Sequence, residues 1–139
     1  MYQRILLTVD GSDNAFRAAQ EAIKLAKLSE TSTIDIVYVV NVDKIKNELL
    51  IAGTIDNVEL ARQRKIAPVE QALQEANISY QTTFLKGDSG PEIVRYANEQ
   101  QVDLVVIGSR GLNSLQEMVL GSVSHKVMKR VQCPALIVK

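Results

Sequence analysis

Gly108-Ser109-Arg110-Gly111 and Gly121-Ser122, separated by nine residues between Gly111 and Gly121, are the residues best placed by type and spacing to do chemistry. The first group follows the apolar run Leu104-Val105-Val106-Ile107, and the second opens a helix-like stretch, Val123 to Arg130. A strand that ends in glycines and hands over to a helix start presents bare backbone N–H groups and a partial positive charge. That chemistry suits an anion. Gly108 and Gly111 bracket a turn that a phosphate can approach closely because no Cβ intervenes. Gly121 and Ser122 open the last helix, where free N–H groups and the Ser122 hydroxyl can donate to phosphate oxygens.

A second candidate group lies at the front, in Thr8-Val9-Asp10-Gly11-Ser12. Asp10 is a poor neighbour for phosphate but a good acceptor for ribose hydroxyls; it also fits a turn-capping carboxylate, and both readings stand. Ser12 or Asp13 can cap the helix that follows. His125 is the only histidine, one turn into the last helix, and a structural role is expected in preference to a general base. Cys133, ahead of Pro134, reads as a small packed residue, since a reactive thiol needs a positive neighbour. Lys126, Lys129 and Arg130 complement the dipole at the carboxyl end of the last helix. No residue is assigned a catalytic role, and no cluster of carboxylates marks a metal site.

The elements that must position these groups alternate between strand and helix. Ile5 to Val9 is a continuous apolar and β-branched run, the pattern of a strand covered on both faces. Ala15, Ala18, Ala19, Ala22, Ile23 and Ala26 then recur at helical spacing. Ile34 to Val40 gives a second strand, and Ser79 to Lys86 a third. Ser89-Gly90-Pro91-Glu92 combines a capping serine, an early proline and a glutamate three residues on, so a helix is expected from Ser89 to about Gln101. Strands are expected at Asp103 to Ile107 and Ala135 to Val138, with a helix from Ser122 to Arg130 between them. The spacing of Val58, Ala61, Ile66, Val69, Leu73 and Ala76 predicts a long helix with a bend near Ala67, because Pro68 lies inside it. Asn41 to Asp56 is the least legible stretch and is expected to be a mobile excursion.

Composition bounds the function. The chain has 139 residues, suited to one domain spanning 1–139, and 16 basic residues balance 16 acidic ones. A nucleic-acid binder or a membrane-surface protein would show a basic bias, so neither partner is expected. One cysteine rules out an internal disulfide and fits a reducing compartment. The start lacks the regions of a signal peptide, and no apolar run approaches the roughly 20 residues that span a bilayer. A cytoplasmic protein is expected.

Strands alternating with helices imply a parallel sheet with helices on both faces. Parallel crossovers are right-handed, so covering both faces requires a reversal of winding, and a crevice opens at the strand ends where it occurs. If the first and fourth strands are neighbours there, Asp10 and Gly108 face each other across one cleft.

The pattern Gly108-x2-Gly111-x9-Gly121-Ser122, with Val9-Asp10-Gly11-Ser12 at the front and Cys133-Pro134-Ala135-Leu136-Ile137-Val138 at the end, resembles the nucleotide-binding branch of the universal stress protein family. The resemblance covers nearly the whole chain. It implies a Rossmann-like α/β fold of the adenine nucleotide α-hydrolase type, with five parallel strands in the order 3-2-1-4-5, binding ATP as a homodimer. It places adenine against backbone groups at Val39 and near Thr8 and Val9, and gives Asp10 the nucleoside. Gly108, Arg110, Gly111, Gly121, Ser122, Val123 and Ser124 fall on the phosphate and ribose loop, with Arg110 at a position that varies within the family. The family's dimer pairs last strands antiparallel, which here is Ala135 to Val138, an apolar edge that calls for cover in any case.

Three functions are in view: an ATP-binding regulatory protein with little or no catalysis, a weak ATPase or nucleotidyl-transfer enzyme, and a scaffold that binds nothing. The intact glycine pattern argues against the scaffold. G-x-x-x-x-G-K-[ST], H-x-G-H and S-G-G-x-D-S stretches are all lacking, which argues against the enzyme. Mg²⁺ accompanying the triphosphate would be held by phosphate oxygens and water. The segment between Gly111 and Gly121, with Leu112, Leu115, Met118, Val119 and Leu120, is too apolar for water and is expected to pack over the site or against a second subunit.

Overall fold

The computed structural model describes residues 1–110 and 120–139. Gly111 and the expected cover segment from Leu112 to Val119 lie outside the described residues.

The chain runs β1 (Arg4–Thr8), α1 (Asp13–Ala26), β2 (Thr33–Val40), a 3₁₀ turn (Val42–Lys44), α2 (Ile45–Ala52), α3 (Ile55–Glu75), β3 (Ser79–Lys86), α4 (Ser89–Gln100), β4 (Leu104–Gly108), α5 (Ser122–Arg130) and β5 (Ala135–Val138). All neighbouring strands pair in parallel, in the order β3-β2-β1-β4-β5. The expected sheet is therefore present, with β1 central and the winding reversing between β1 and β4.

Alternation along the strands splits the core between the two faces. Ile5, Leu7, Ile34, Ile36 and Val106 pack with Ala18, Ala19 and Ala22 of α1 and with Ile66, Val69 and Leu73 of α3. Leu6, Val37, Val105 and Ile107 pack with Ile93 and Ala97 of α4 and with Val127 of α5. The alanine stripe lets α1 lie close to the sheet. A Cβ built on Gly108 would come within 2.9 Å of both the Asn14 carbonyl carbon and Asn14 Cβ, so β4 and α1 meet at a contact that admits no methyl group.

Local structure differs from the expectations across residues 41–56 and at the starts of α3 and α4. Residues 41–56 carry regular structure: Asn41 Oδ1 accepts the Asp43 N–H at 2.9 Å and caps the 3₁₀ turn. α2 and the start of α3 follow, separated by Gly53 at φ 88°. None of the α2 residues is buried, which is why no apolar stripe announces this helix. α3 begins at Ile55 and passes through Pro68 as one uninterrupted helix. The hydrogen bond that Pro68 cannot donate belongs to the Arg64 carbonyl on an exposed stretch, where water can replace it. The N-cap of α4 is Asp88, without a side-chain hydrogen bond, and Ser89 is the first helical residue. Among the described residues, no helix is long and apolar enough to cross a membrane.

Candidate functional site

A cavity of about 760 Å³ opens above the carboxyl ends of β1, β2 and β4. It falls within the usual size range for small-molecule sites. Thr8, Val9, Asp10, Val39, Gly108, Arg110, Gly121, Ser122, Val123 and Ser124 all line it. The fold thus gathers into one space residues that stand at opposite ends of the sequence.

The wall at α5 is built from backbone. Gly121 is the N-cap, with no side chain to accept from the helix, and its own N–H donates to the Ser109 carbonyl at 2.7 Å. The first helical hydrogen bond runs from the His125 N–H to the Gly121 carbonyl. The N–H groups of Ser122, Val123 and Ser124 therefore precede the ladder and have no acceptor among the described residues. An anion in the cavity would supply one.

Two serines and an asparagine hold this wall against β4. Ser124 Oγ donates to the Gly108 carbonyl at 2.7 Å, with the Ser109 carbonyl at 3.1 Å. Its hydroxyl hydrogen is thereby committed to protein, leaving the Ser124 N–H as the group free to meet a ligand. Asn14 Nδ2 donates to Ser109 Oγ at 3.3 Å, and both residues are buried. Asn14 carries no motif signal; its role follows from α1 lying against the end of β4.

The opposite wall is the β1–α1 turn. Asp10 Oδ1 accepts the Ser12 N–H at 2.9 Å, and Ser12 Oγ accepts the Ala15 N–H at 3.1 Å, so Ser12 rather than Asp13 caps α1. The Asp10 carboxylate shapes its own turn and also lines the cavity. Gly11 turns at φ 87°, a conformation that favours glycine.

The rim includes residues the sequence does not single out, namely Asn41, Lys44, Asn47, Glu48 and Ile51 ahead of and within α2, Lys65 on α3, and Ser89 and Ile93 on α4. Glu48 is paired with Arg62 of α3 at 3.1 Å. His125 is exposed and lies outside the cavity lining. Cys133 is half-buried among the apolar side chains of α4, α5 and β5, and burial pushes its thiol above the ordinary value. Among the described residues, no group of three His, Cys, Asp or Glu side chains is placed to hold a metal ion.

A family model described as the universal stress protein family matches residues 1–139. The chain belongs to the universal stress protein family. Universal stress protein YxiE of Bacillus subtilis is 34% identical, with both chains covered in full. The solved structure of MJ0577, from Methanocaldococcus jannaschii, superposes with a TM-score of 0.83 at 26% identity, covering 100% of this chain and 96% of that one. The universal stress protein of Archaeoglobus fulgidus in complex with dAMP shares the fold, with a TM-score of 0.74 at 20% identity over 99% and 98% of the two chains. Further members of the same fold are described in complex with cAMP and, from Arabidopsis thaliana, with AMP.

Proposed function

We propose that this universal stress protein binds ATP in the cavity between β1 and α5 and acts as a cytoplasmic, dimeric regulatory protein with little or no turnover. The observation that carries the reading is the α5 amino terminus. Three consecutive N–H groups without acceptors among the described residues line a cavity whose other wall holds a carboxylate. Phosphate oxygens suit the first wall and ribose hydroxyls the second. Adenine then falls beside Val39, near Thr8 and Val9. Nucleotide complexes of proteins sharing this fold support the same ligand class.

The outer phosphates meet the α5 amino end beside Arg110, so ATP is preferred over AMP. A divalent ion riding on the triphosphate is held by phosphate oxygens and water. Low turnover follows from the placement of charge. Phosphoryl transfer needs a group that orients water and a ligand that fixes the metal. Among the described residues, the carboxylates lining the cavity are Asp10 and the paired Glu48, on the nucleoside and rim side.

Equilibrium titration of the pure protein with ATP, AMP and adenosine tests the proposal, alongside mass spectrometry of nucleotide released on denaturation. The expected order is ATP, then AMP, then adenosine. Equal affinity for all three would remove the phosphates from the α5 wall. Sustained phosphate release from ATP, abolished on replacing Asp10, would make the protein an enzyme instead.

A further inference from the structure

Lys65 of α3 has a stem seated on the β1–α1 turn. A Cβ built on Gly11 would come 2.9 Å from Lys65 Cγ, 3.1 Å from its Cβ and 3.3 Å from its Cδ. The stem occupies the space that the absence of a side chain at Gly11 leaves open, and the residue lines the cavity. Its ammonium makes no hydrogen bond or ion pair among the described residues. The carboxylate nearest to it along α2 and α3 that also lines the cavity, Glu48, is taken by Arg62. A lysine usually spreads over many rotamers; here the stem lies against a turn, and the charge at its end has no partner among the described residues.

The sign of the site agrees with this. Among the described residues, Lys44 and Lys65 line the cavity with Asp10 and the paired Glu48, so the two lysines add positive charge to what the α5 dipole supplies. Lys65 reaches the cavity from α3 beside the β1–α1 turn, a side other than the α5 amino terminus.

We propose that Lys65 is a phosphate-contacting residue of the nucleotide site, clamping the ligand's anionic group from the α3 side. This rests on the nucleotide reading above and adds to it a residue outside the glycine pattern. It also gives Gly11 a second reason to be glycine: the turn must accept the lysine stem as well as a positive φ.

The test compares Lys65→Met and Lys65→Arg with the parent protein, titrating ATP, AMP, cyclic AMP and adenosine and checking each variant's thermal unfolding. Methionine keeps an apolar stem over Gly11 and removes the charge; arginine keeps both. Removing one charge-assisted hydrogen bond at a partly open site weakens binding about tenfold. Lys65→Met is therefore expected to weaken at least one phosphate-bearing ligand about tenfold, to leave adenosine unchanged, and to flatten the salt dependence of that ligand's binding; Lys65→Arg restores most of the affinity. Parent-like phosphate affinities in Lys65→Met, or an equal weakening for adenosine, overturn the role of Lys65 while leaving the nucleotide site intact. If the parent protein itself binds none of the four ligands, the nucleotide reading falls, and the role of Lys65 with it.

Discussion

Gly121 and Gly108 look alike in the sequence and do different work. At Gly121 the backbone is extended, and an added Cβ would meet only ordinary contacts, the Ser109 carbonyl at 3.4 Å and Arg110 Cα at 3.5 Å. A Cβ is accommodated there without a clash among the described residues, so aspartate is a usable substitution. As an N-cap it would accept from the orphan N–H groups and oppose the helix dipole, adding roughly 0.5 kcal/mol to stability. It would also place a carboxylate where the phosphate is proposed to sit. Gly121→Asp is accordingly expected to unfold at an equal or higher denaturant midpoint while ATP affinity falls at least tenfold and adenosine affinity holds. A variant that is stabilised and still binds ATP like the parent would move the phosphates elsewhere. Gly108→Ala tests a different property, because its methyl would press on the backbone of α1 at Asn14. Overpacking of this kind costs about 1–3 kcal/mol, so a lower midpoint in denaturant is expected. The glycine spacing draws attention to both positions, but the steric reason at Gly108 depends on how closely α1 approaches β4, which no local pattern reports.

Elements with a one-sided apolar pattern are legible, and those without one are not. α1, α5 and the buried strands follow from alanine spacing, a glycine start and β-branched runs, with boundaries within a residue or so of those expected. α2 buries nothing, so periodicity carries no trace of it, and its rim residues escape notice for the same reason. Asp35 is the reverse case. It sits inside the apolar run of β2 and is buried, yet it accepts hydrogen bonds from Gln81 Nε2 at 3.1 Å, Thr83 Oγ1 at 2.8 Å and the Tyr96 hydroxyl. These donors come from β3 and α4, so only the folded chain explains the charge. Burial, followed by the hydrogen bond to Asp35, raises the Tyr96 phenol above its ordinary value. The fold therefore favours the protonated phenol. Its contribution is complete below the unfolded value of about 10 and disappears as pH rises through the folded value. Tyr96→Phe is expected to cost about 1 kcal/mol at neutral pH, and the gap between variant and parent should narrow above pH ~10. A gap in denaturant midpoint that stays constant across that range would detach the phenol's ionisation from the network.

At the scale of the whole molecule, β5 is an edge strand of the sheet. Its four residues are all half-buried and lie at the end of the sheet, an arrangement that invites pairing unless it is protected. The ladder to β4 shows which groups are free to pair. The Val105 N–H bonds the Pro134 carbonyl at 3.0 Å and the Ser109 N–H bonds the Val138 carbonyl at 2.7 Å. Backbone polar groups alternate sides along a strand, so Pro134, Leu136 and Val138 turn toward β4, while the N–H and C=O groups of Ala135 and Ile137 point outward. An antiparallel partner, as proposed for the dimer, must use those outward groups. Ile137→Pro removes one outward N–H without cutting a bond to β4, at the expense of some packing of Ile137 against the face that holds α4 and α5. If two chains join through β5, sedimentation of the parent should give a dimer and that of Ile137→Pro a folded monomer, with far-ultraviolet circular dichroism unchanged. A dimer that survives the proline must use another surface. A parent that sediments as a monomer would leave β5 a bare edge, and the regulatory output would then have to come from within a single chain.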